Sequence, residues 1–484
     1  MSRAIRAWLH EAARSGDAVA AARAAAEAVA ADPWAVVREA GALARCHLVP
    51  TPTDRRLTPE ITVPAGAPWP APHPGRAAKG AWDTPPELAR RAVAAAGQGG
   101  VTLDPACGSG ALLLAAHEAG ADEIWGTDLD PAALAVAAVA VPRARLGLAD
   151  ALAPGAAVDR VVINPPFVAA ELQSRASRAA LRERWPWLSG RFDLSVAVIA
   201  AASERVRRGG GLGIVAPASL LTEPYAAGLR ARWLATDRVT TLGPVERFPG
   251  VAARVAVVGV IVGGPPGPVP SGIGAEDLLA LRGVPLDPAA RPGDAAILRT
   301  AAARSIPLGD LAVIDTGVVS HGPDGGKASR LFDLPGPGRV PYADARGFFA
   351  GERRWLAYEP KRMHRAKSPA LFEVPKVVVQ RIGRGLVRAA VDREGVYVGH
   401  TCTVVVPREI APELVCRFLT DPLTAGLLQI AHGSRLDLYP HDVADLPFPR
   451  SWLEGAASPL EAAWGLDRAQ SRRLAALALA GRLK

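Results

Sequence analysis

Apolar and polar positions follow three regimes along this chain. Residues 1 to about 50 are Ala-rich with a helical pattern, and a Pro-rich connector follows through His73-Pro74-Gly75. From about 76 to 265, apolar runs of strand length alternate with helical stretches. Strands are predicted at 100–103, 123–127, 144–148, 160–163, 212–216, 239–244 and 255–262, with helices between most of them, beginning with 110–119 and 131–141. Such alternation implies a doubly wound, Rossmann-like parallel sheet. The cluster from Gly263 to Pro270 breaks the pattern. From about 296 to 450 the strands become short and irregular, and 460–483 reads as one amphipathic helix. The predicted organisation is a helical region (1–75), an α/β domain (76–265), a linker (266–295), a mixed α/β domain (296–450) and a C-terminal helix (451–484).

Composition changes this picture little. About half of the 484 residues are apolar, enough for a packed core and against global disorder. The net charge of +9 favours a polyanionic partner, but only six of the 56 basic residues are lysines, as GC-rich coding would produce without selection for nucleic acid. The four cysteines (Cys46, Cys107, Cys402, Cys416) form no CxxC pair, and no His-Glu-x-x-His or similar spacing points to a metal. The N-terminus has no uninterrupted apolar core of the signal-peptide kind, and the longest apolar run, 255–262, is too short to span a bilayer. The expectation is a cytoplasmic protein with no membrane partner.

The chemistry begins at Asp104-Pro105-Ala106-Cys107-Gly108-Ser109-Gly110, between a predicted strand and helix. Glycines there let a ligand approach the backbone, and the helix start offers unpaired N–H groups. The third glycine of the dinucleotide fingerprint and the Gly-Lys-Ser/Thr of a P-loop are both missing. A carboxylate before the turn suits a cationic amino group better than a phosphate. Asp128 ends the next strand, 20 residues after Gly108, where a doubly wound fold holds ribose hydroxyls. Asp130 precedes Pro131 and reads as a helix N-cap. Asp150 ends the third strand and can accept from an adenine amino group. Each acid alone reads as an ordinary strand end; three in succession after a Gly-x-Gly turn point to a nucleoside cofactor. Cys107 reads as packing in a tight turn.

Asn164-Pro165-Pro166-Phe167 follows the strand at 160–163. Two adjacent prolines make a rigid loop. The Asn164 side-chain oxygen and the Pro165 carbonyl can each accept a hydrogen bond from one planar NH2 group, which localises the nitrogen lone pair for attack, and Phe167 can stack on the ring that carries it. No general base of shifted pKa is needed.

Together, 104–110 and 164–167 resemble the amino-methyltransferases of DNA, specifically the N6-adenine class of the gamma arrangement, similar to TaqI-like and Eco57I-like enzymes. The resemblance spans roughly residues 78 to 262. Gly80-Ala81-Trp82-Asp83-Thr84-Pro85-Pro86 resembles that group's first motif, with Asp83 where an aromatic is usual. Asp193-Leu194, the stretch 209–217, and Phe248-Pro249-Gly250-Val251 resemble later ones. The resemblance implies S-adenosyl-L-methionine as cofactor, held by Thr84, Asp104, Ala106, Gly108, Gly110, Asp128, Leu129, Asp150 and Asn164. It implies Asn164, Pro165, Pro166 and Phe167 as the catalytic loop, acting on an adenine rotated out of double-stranded DNA. Phe167 and Phe248 would sandwich that base, and Phe248 reads equally as core. Such enzymes belong to restriction–modification or related phage-defence systems, with a cognate endonuclease or defence subunit as a partner.

Eleven basic and three acidic residues lie between Arg346 and Arg388, a local excess of eight. Concentrated charge of this kind suits phosphate binding; the bland alternative is a solvated basic face. The stretch 369–381 resembles a specificity domain, with 306–311 and 446–449 as its opening and closing elements. Arg362, Arg365, Lys376, Arg381 and Arg384 are the expected DNA contacts. Three other readings compete. A protein-glutamine or RNA-adenine methyltransferase uses the same loop chemistry. A nuclease would need Asp324 with Glu359-Pro360-Lys361, where a proline sits in a required strand. A non-catalytic DNA-binding subunit would not need an intact 164–167 beside an intact 104–110.

Overall fold

The computed structural model describes residues 61–62, 84–248, 253–281, 283–320, 330–363, 366–383, 386–433 and 437–480. The helical region expected over 1–75, apart from Ile61 and Thr62, and Asp324 lie outside them. The chain divides after Ala289 into two compact units.

The first unit is built on a nine-stranded sheet. Its strands are β1 (Ile61–Thr62), β2 (Val101–Asp104), β3 (Glu123–Asp128), β4 (Arg145–Leu148), β5 (Val158–Ile163), β6 (Val206–Pro217), β7 (Arg238–Leu242), β8 (Glu246–Arg247) and β9 (Arg254–Ile261). The order is β1-β4-β3-β2-β5-β6-β9-β7, with β8 paired to β9. Strands β1 to β6 run parallel, and β9 enters antiparallel between β6 and β7. The apolar run at 255–262 is thus an internal strand, buried from Val255 through Val260. Three strands differ from the sequence expectation, one of them β8, which pairs with β9 where no strand was predicted. Ile61 and Thr62 extend the sheet by pairing with β4, where a connector was expected. Strand β6 begins six residues early, because Gly209, at φ +82°, takes the left-handed turn that keeps 206–210 beside β5.

Helices α1 (Pro86–Ala96), α2 (Ala111–Glu118) and α3 (Pro131–Ala140) share one apolar cluster with Val162, Val215, Val255 and Val257. Strand side chains alternate faces, so Val161 and Ile163 point to the other side, where the almost wholly buried helix α4 (Leu194–Glu204) packs against β5 and β6. Contact of α1 with β6 is at backbone distance: a Cβ on Gly211 or Gly213 would stand 1.8 or 1.9 Å from the carbonyl oxygen of Ala96 or Ala92. The glycine run in β6 therefore serves the seating of an Ala-rich helix.

Residues 266–289, expected as linker, pack within the first unit. Val269, Ile273, Leu278 and Leu286 are buried, and the Leu286 N–H donates to Leu221 at 2.8 Å. The wholly buried Arg230 guanidinium donates to the carbonyls of Leu220, Glu223, Gly283 and Val284, tying that stretch to the segment after β6.

The second unit holds two four-stranded sheets. One is ordered β11 (Ala312–Thr316), β18 (Cys402–Pro407), β15 (Lys376–Gln380), β16 (Ala389–Asp392), antiparallel throughout. The other is β12 (Leu331–Phe332), β14 (Arg354–Ala357), β13 (Arg339–Ala343), β17 (Tyr397–Val398). A short ladder pairs β10 (Ser305–Pro307) with β19 (Pro447–Pro449). The amphipathic helix expected over 460–483 is two helices, Leu460–Trp464 and Arg468–Ala480. Gly465 ends the first in the left-handed region, and Asp467 caps the second by accepting from the Gln470 N–H at 2.8 Å. No single helix among the described residues is long and apolar enough to cross a membrane.

Candidate active site

In an open α/β sheet, ligands bind outside the carboxyl ends of the strands where the chain reverses its direction of travel across the sheet. Here that point lies between β2 and β5: from β2 the chain proceeds outward to β3 and β4, then returns to β5 on the other side. Asp104 ends β2, Asp128 ends β3, Asp150 follows β4 and Asn164 follows β5. All four side chains singled out from sequence are therefore brought to the same edge of the sheet by topology alone.

The turn after β2 is tied down by its own polar groups. Asp104 is 1% exposed and accepts from the Ala106 N–H at 3.0 Å. Burial pushes its carboxyl well above the ordinary 3.8; the Ala106 N–H opposes this in part, and the negative field of Asp128 adds to the rise. The Cys107 N–H donates to Thr127 at 2.9 Å, and the Thr127 hydroxyl donates to the Pro105 carbonyl at 3.1 Å. Gly108 (φ +53°) donates its N–H to Asp128 Oδ2 at 2.7 Å. Gly110 (φ +91°) starts α2 against α3, where an added Cβ would meet Ala137 at 3.1 Å. Cys107 is buried and fills the turn, as read from sequence.

Asp128 also accepts from the Asp130 N–H through Oδ1, at 2.9 Å. Asp130 accepts from the Ala133 N–H at 3.3 Å, the expected N-cap of α3. Leu129 between them is 45% exposed, an apolar side chain presented at the strand ends. Asp150 is exposed and accepts from the Leu152 N–H at 2.9 Å.

Asn164 is fixed from the far end of the sequence: its Nδ2 donates to Thr84 Oγ1 at 3.0 Å. Thr84 is itself buried, at the start of α1. A side-chain amide whose nitrogen is engaged in this way has its oxygen facing the opposite direction. Thr84, expected as a cofactor contact, accepts this hydrogen bond from the Asn164 amide. Pro165 is buried, and Phe167 is half-buried against the cluster of α1 to α3. Phe248 is 3% exposed and inside that same cluster, so of the two sequence readings the structure places it as core.

Gln173 was not foreseen from sequence. Its Nε2 donates to the carbonyls of Val168, at 2.9 Å, and Phe192, at 3.0 Å, while the Leu194 N–H donates to Val168 at 3.0 Å. These bonds anchor the end of the 164–167 loop to the start of α4, which Asp193 caps by accepting from Ser195 N–H at 2.9 Å. A lone glutamine in a polar stretch carries no sequence signal for such a role.

No protein-family model matches the sequence, and no curated protein matches it. Among solved structures, the chain is similar to the type IIL restriction–modification enzyme MmeI, which was solved in complex with DNA. The identity is 13%, over 82% of this chain and 71% of that one, with a TM-score of 0.51. This chain has a Rossmann-like methyltransferase fold. Weaker likenesses are to the type IIG restriction endonuclease BpuSI (14% identity, 83% of this chain and 66% of that one, TM-score 0.36) and to a type I restriction–modification methyltransferase subunit from Streptococcus thermophilus (20%, 38% and 45%, TM-score 0.32). The chain spans less than half the length of the latter and just under two thirds of BpuSI.

The expected DNA contacts in the second unit divide differently. Lys376 is a correction: it is fully buried, with Nζ donating to the Phe372 carbonyl at 2.5 Å and to Asp392. Burial draws its pKa down, against the pull of Asp392. An ammonium in that position cannot reach a phosphate. Arg381 is likewise committed within the fold: Nε and Nη2 donate to the two oxygens of Asp437 at 3.1 and 2.8 Å, and Nη1 to the His400 carbonyl at 2.8 Å. Arg362 is exposed and pairs with Glu359 at 2.9 Å across one turn. Arg365 and Arg384 lie outside the described residues. Glu359-Pro360-Lys361 runs into a 3-10 turn at Pro360–Arg362, not a strand, which leaves the nuclease reading without its required geometry.

Proposed function

We propose that this chain transfers the methyl group of S-adenosylmethionine to the N6 amino group of adenine in double-stranded DNA, within a restriction–modification or related defence system. The observation that carries the reading is the convergence of the buried Asp104 and the Thr84-oriented Asn164 on either side of the sheet's switch point. A buried carboxyl with a raised pKa lacks a countercharge, and a ligand with a cationic amino group supplies one. The left-handed turn at Gly108 and Gly110 lies in the same stretch, between Asp104 and the start of α2. These residues fit the cofactor: Asp104 would hold its amino group, Ala106 to Gly110 its amino-acid moiety, Asp128 its ribose, and Leu129 and Asp150 its adenine.

The cofactor, when bound, supplies an electrophilic methyl group. The protein's part is to present a nucleophile to it. Asn164 Oδ1 and the Pro165 carbonyl would each accept one N–H of the target amino group, which withdraws the nitrogen lone pair from the ring and aims it. Phe167 would stack on the base, worth roughly 1–3 kcal/mol. The proton leaves after the methyl has moved, so no titrating base is required. Arg362, Arg365 and Arg384 remain the proposed DNA contacts of the second unit.

Incubation with methyl-labelled cofactor and three acceptors in parallel (duplex DNA, RNA, and cell protein) tests this reading. Label is expected in DNA alone, falling about 10²–10³-fold in Asn164→Ala, the range seen when one preorganised polar group is lost. Label in RNA or in protein instead would overturn it.

A further inference from the structure

Taking a base out of a duplex leaves a hole in the stack, and proteins that open DNA frequently fill such holes with an apolar wedge. The 164–167 loop continues through Val168 and Ala169 into a 3-10 turn, Ala170–Leu172. Leu172 is 66% exposed, the most exposed large apolar side chain among the described residues of the first unit. It lies five residues beyond Phe167, so the two Cα atoms are within about 18 Å of each other by chain length alone.

Three features separate this leucine from an ordinary surface residue. First, its turn is held at both ends. Ala170 is buried, with Arg178 donating to its carbonyl, and Gln173 is bonded to Val168 and Phe192. A side chain on a clamped turn is presented, not folded away. Second, the helix that follows, Arg175–Arg184, carries four arginines against one acid. Arg175 is exposed and makes no ion pair among the described residues, which suits a polyanion next to Leu172. Third, the turn grows directly out of the reacting loop, so a base gripped by Asn164 and a residue entering the space it vacated would move with one rigid element.

We propose that Leu172 is a stack-filling wedge: it enters the duplex where the target adenine has left and keeps that adenine from returning. This rests on the reading of the chain as a DNA adenine methyltransferase. The wedge makes no bond to the cofactor or to the reacting nitrogen; its effect is on the population of the open duplex.

The test uses the full chain. The methylated sequence is first located by sequencing DNA from a methylation-free host that expresses the protein. A duplex of that sequence with 2-aminopurine at the target position then reports unstacking as a fluorescence rise. Wild type and Leu172→Met are expected to give the rise. Leu172→Ala is expected to lose most of it and to slow single-turnover methylation of the normal duplex about tenfold, with cofactor affinity unchanged. The loss should shrink on a duplex whose target adenine is mispaired, where opening is already cheap. Equal rates for Leu172→Ala and wild type on the paired duplex, or equal losses on paired and mispaired duplexes, would overturn the wedge while leaving the methyltransferase reading intact. A wild type that methylates no DNA takes both down.

Discussion

At the scale of the residue, the proposed chemistry turns on two features. The first is Thr84 to Asn164, which joins positions 80 apart in sequence. Thr84→Val removes the hydroxyl and keeps the shape, so the Asn164 amide loses the bond to its nitrogen, on which the proposed presentation of Oδ1 depends. The expected result is a fall in kcat of roughly five- to tenfold, the size of one hydrogen bond of about 1–1.5 kcal/mol, with little change in cofactor affinity measured by calorimetry. A larger loss of affinity than of kcat would make Thr84 a direct cofactor contact. The second is Asp104. Its folded pKa is raised above the unfolded value, so folding without ligand favours the protonated form. That contribution is fully present below 3.8 and is lost as pH rises through the folded pKa. Asp104→Asn should therefore raise the melting temperature of the ligand-free protein increasingly as pH climbs through this window. Over the same window wild-type affinity for the cofactor should rise with pH, as the carboxylate forms, while the affinity of Asp104→Asn stays low and flat. A variant no more stable than wild type at neutral pH would contradict the buried, uncompensated carboxyl. Both residues could be nominated from sequence, because each sits in a short motif at a strand end. Their roles required coordinates: the Thr84–Asn164 bond is long-range, and burial is not a local property.

At the scale of the element, periodicity located the strands and helices of the first unit well. Apolar runs there are long and the breaks between them are rich in glycine, proline and aspartate. The misses have physical causes. Two residues at Ile61 and Thr62 are too short to show a period and become a strand only by joining the edge of β4. The early start of β6 depends on Gly209 turning left-handed. The break in the last helix depends on Gly465 and the cap at Asp467, inside an amphipathic pattern that continues across it. Lys376 shows the converse, a charge in the chain that is not a charge on the surface. It sits at the start of β15 and answers Asp392 at the end of β16, its antiparallel partner in the ladder. Asp392 also accepts from the Val396 and Glu394 N–H groups at 2.9 and 3.2 Å, so the pair fixes the turn after β16. Lys376→Ala would leave that carboxylate buried and unpaired, at a cost of about 3–5 kcal/mol. Chemical denaturation should show this loss, and DNA affinity of whatever remains folded should be unchanged. Weakened DNA binding with wild-type stability would instead restore Lys376 to the DNA surface.

At the scale of the whole molecule, the basic window between Arg346 and Arg388 is less basic in space than in sequence. Asp315, Asp333, Asp392, Glu394 and Asp437, all outside the window, pair with Lys367, Arg354, Lys376, Arg353 and Arg381. Antiparallel strands bring acids from distant segments against these cations, and a count along the chain cannot see them. The candidate site was more legible than the charge. The Asp104–Gly110 turn and the Asn164–Phe167 loop are each local, and a doubly wound sheet necessarily gathers its strand ends on one edge. The most direct test of the account is nucleoside analysis of DNA from a methylation-free bacterial host expressing the chain, wild type against Asn164→Ala. The account predicts N6-methyladenine with wild type and far less with Asn164→Ala. DNA without N6-methyladenine in cells holding folded, cofactor-binding wild-type protein would contradict it, as would an undiminished level with Asn164→Ala.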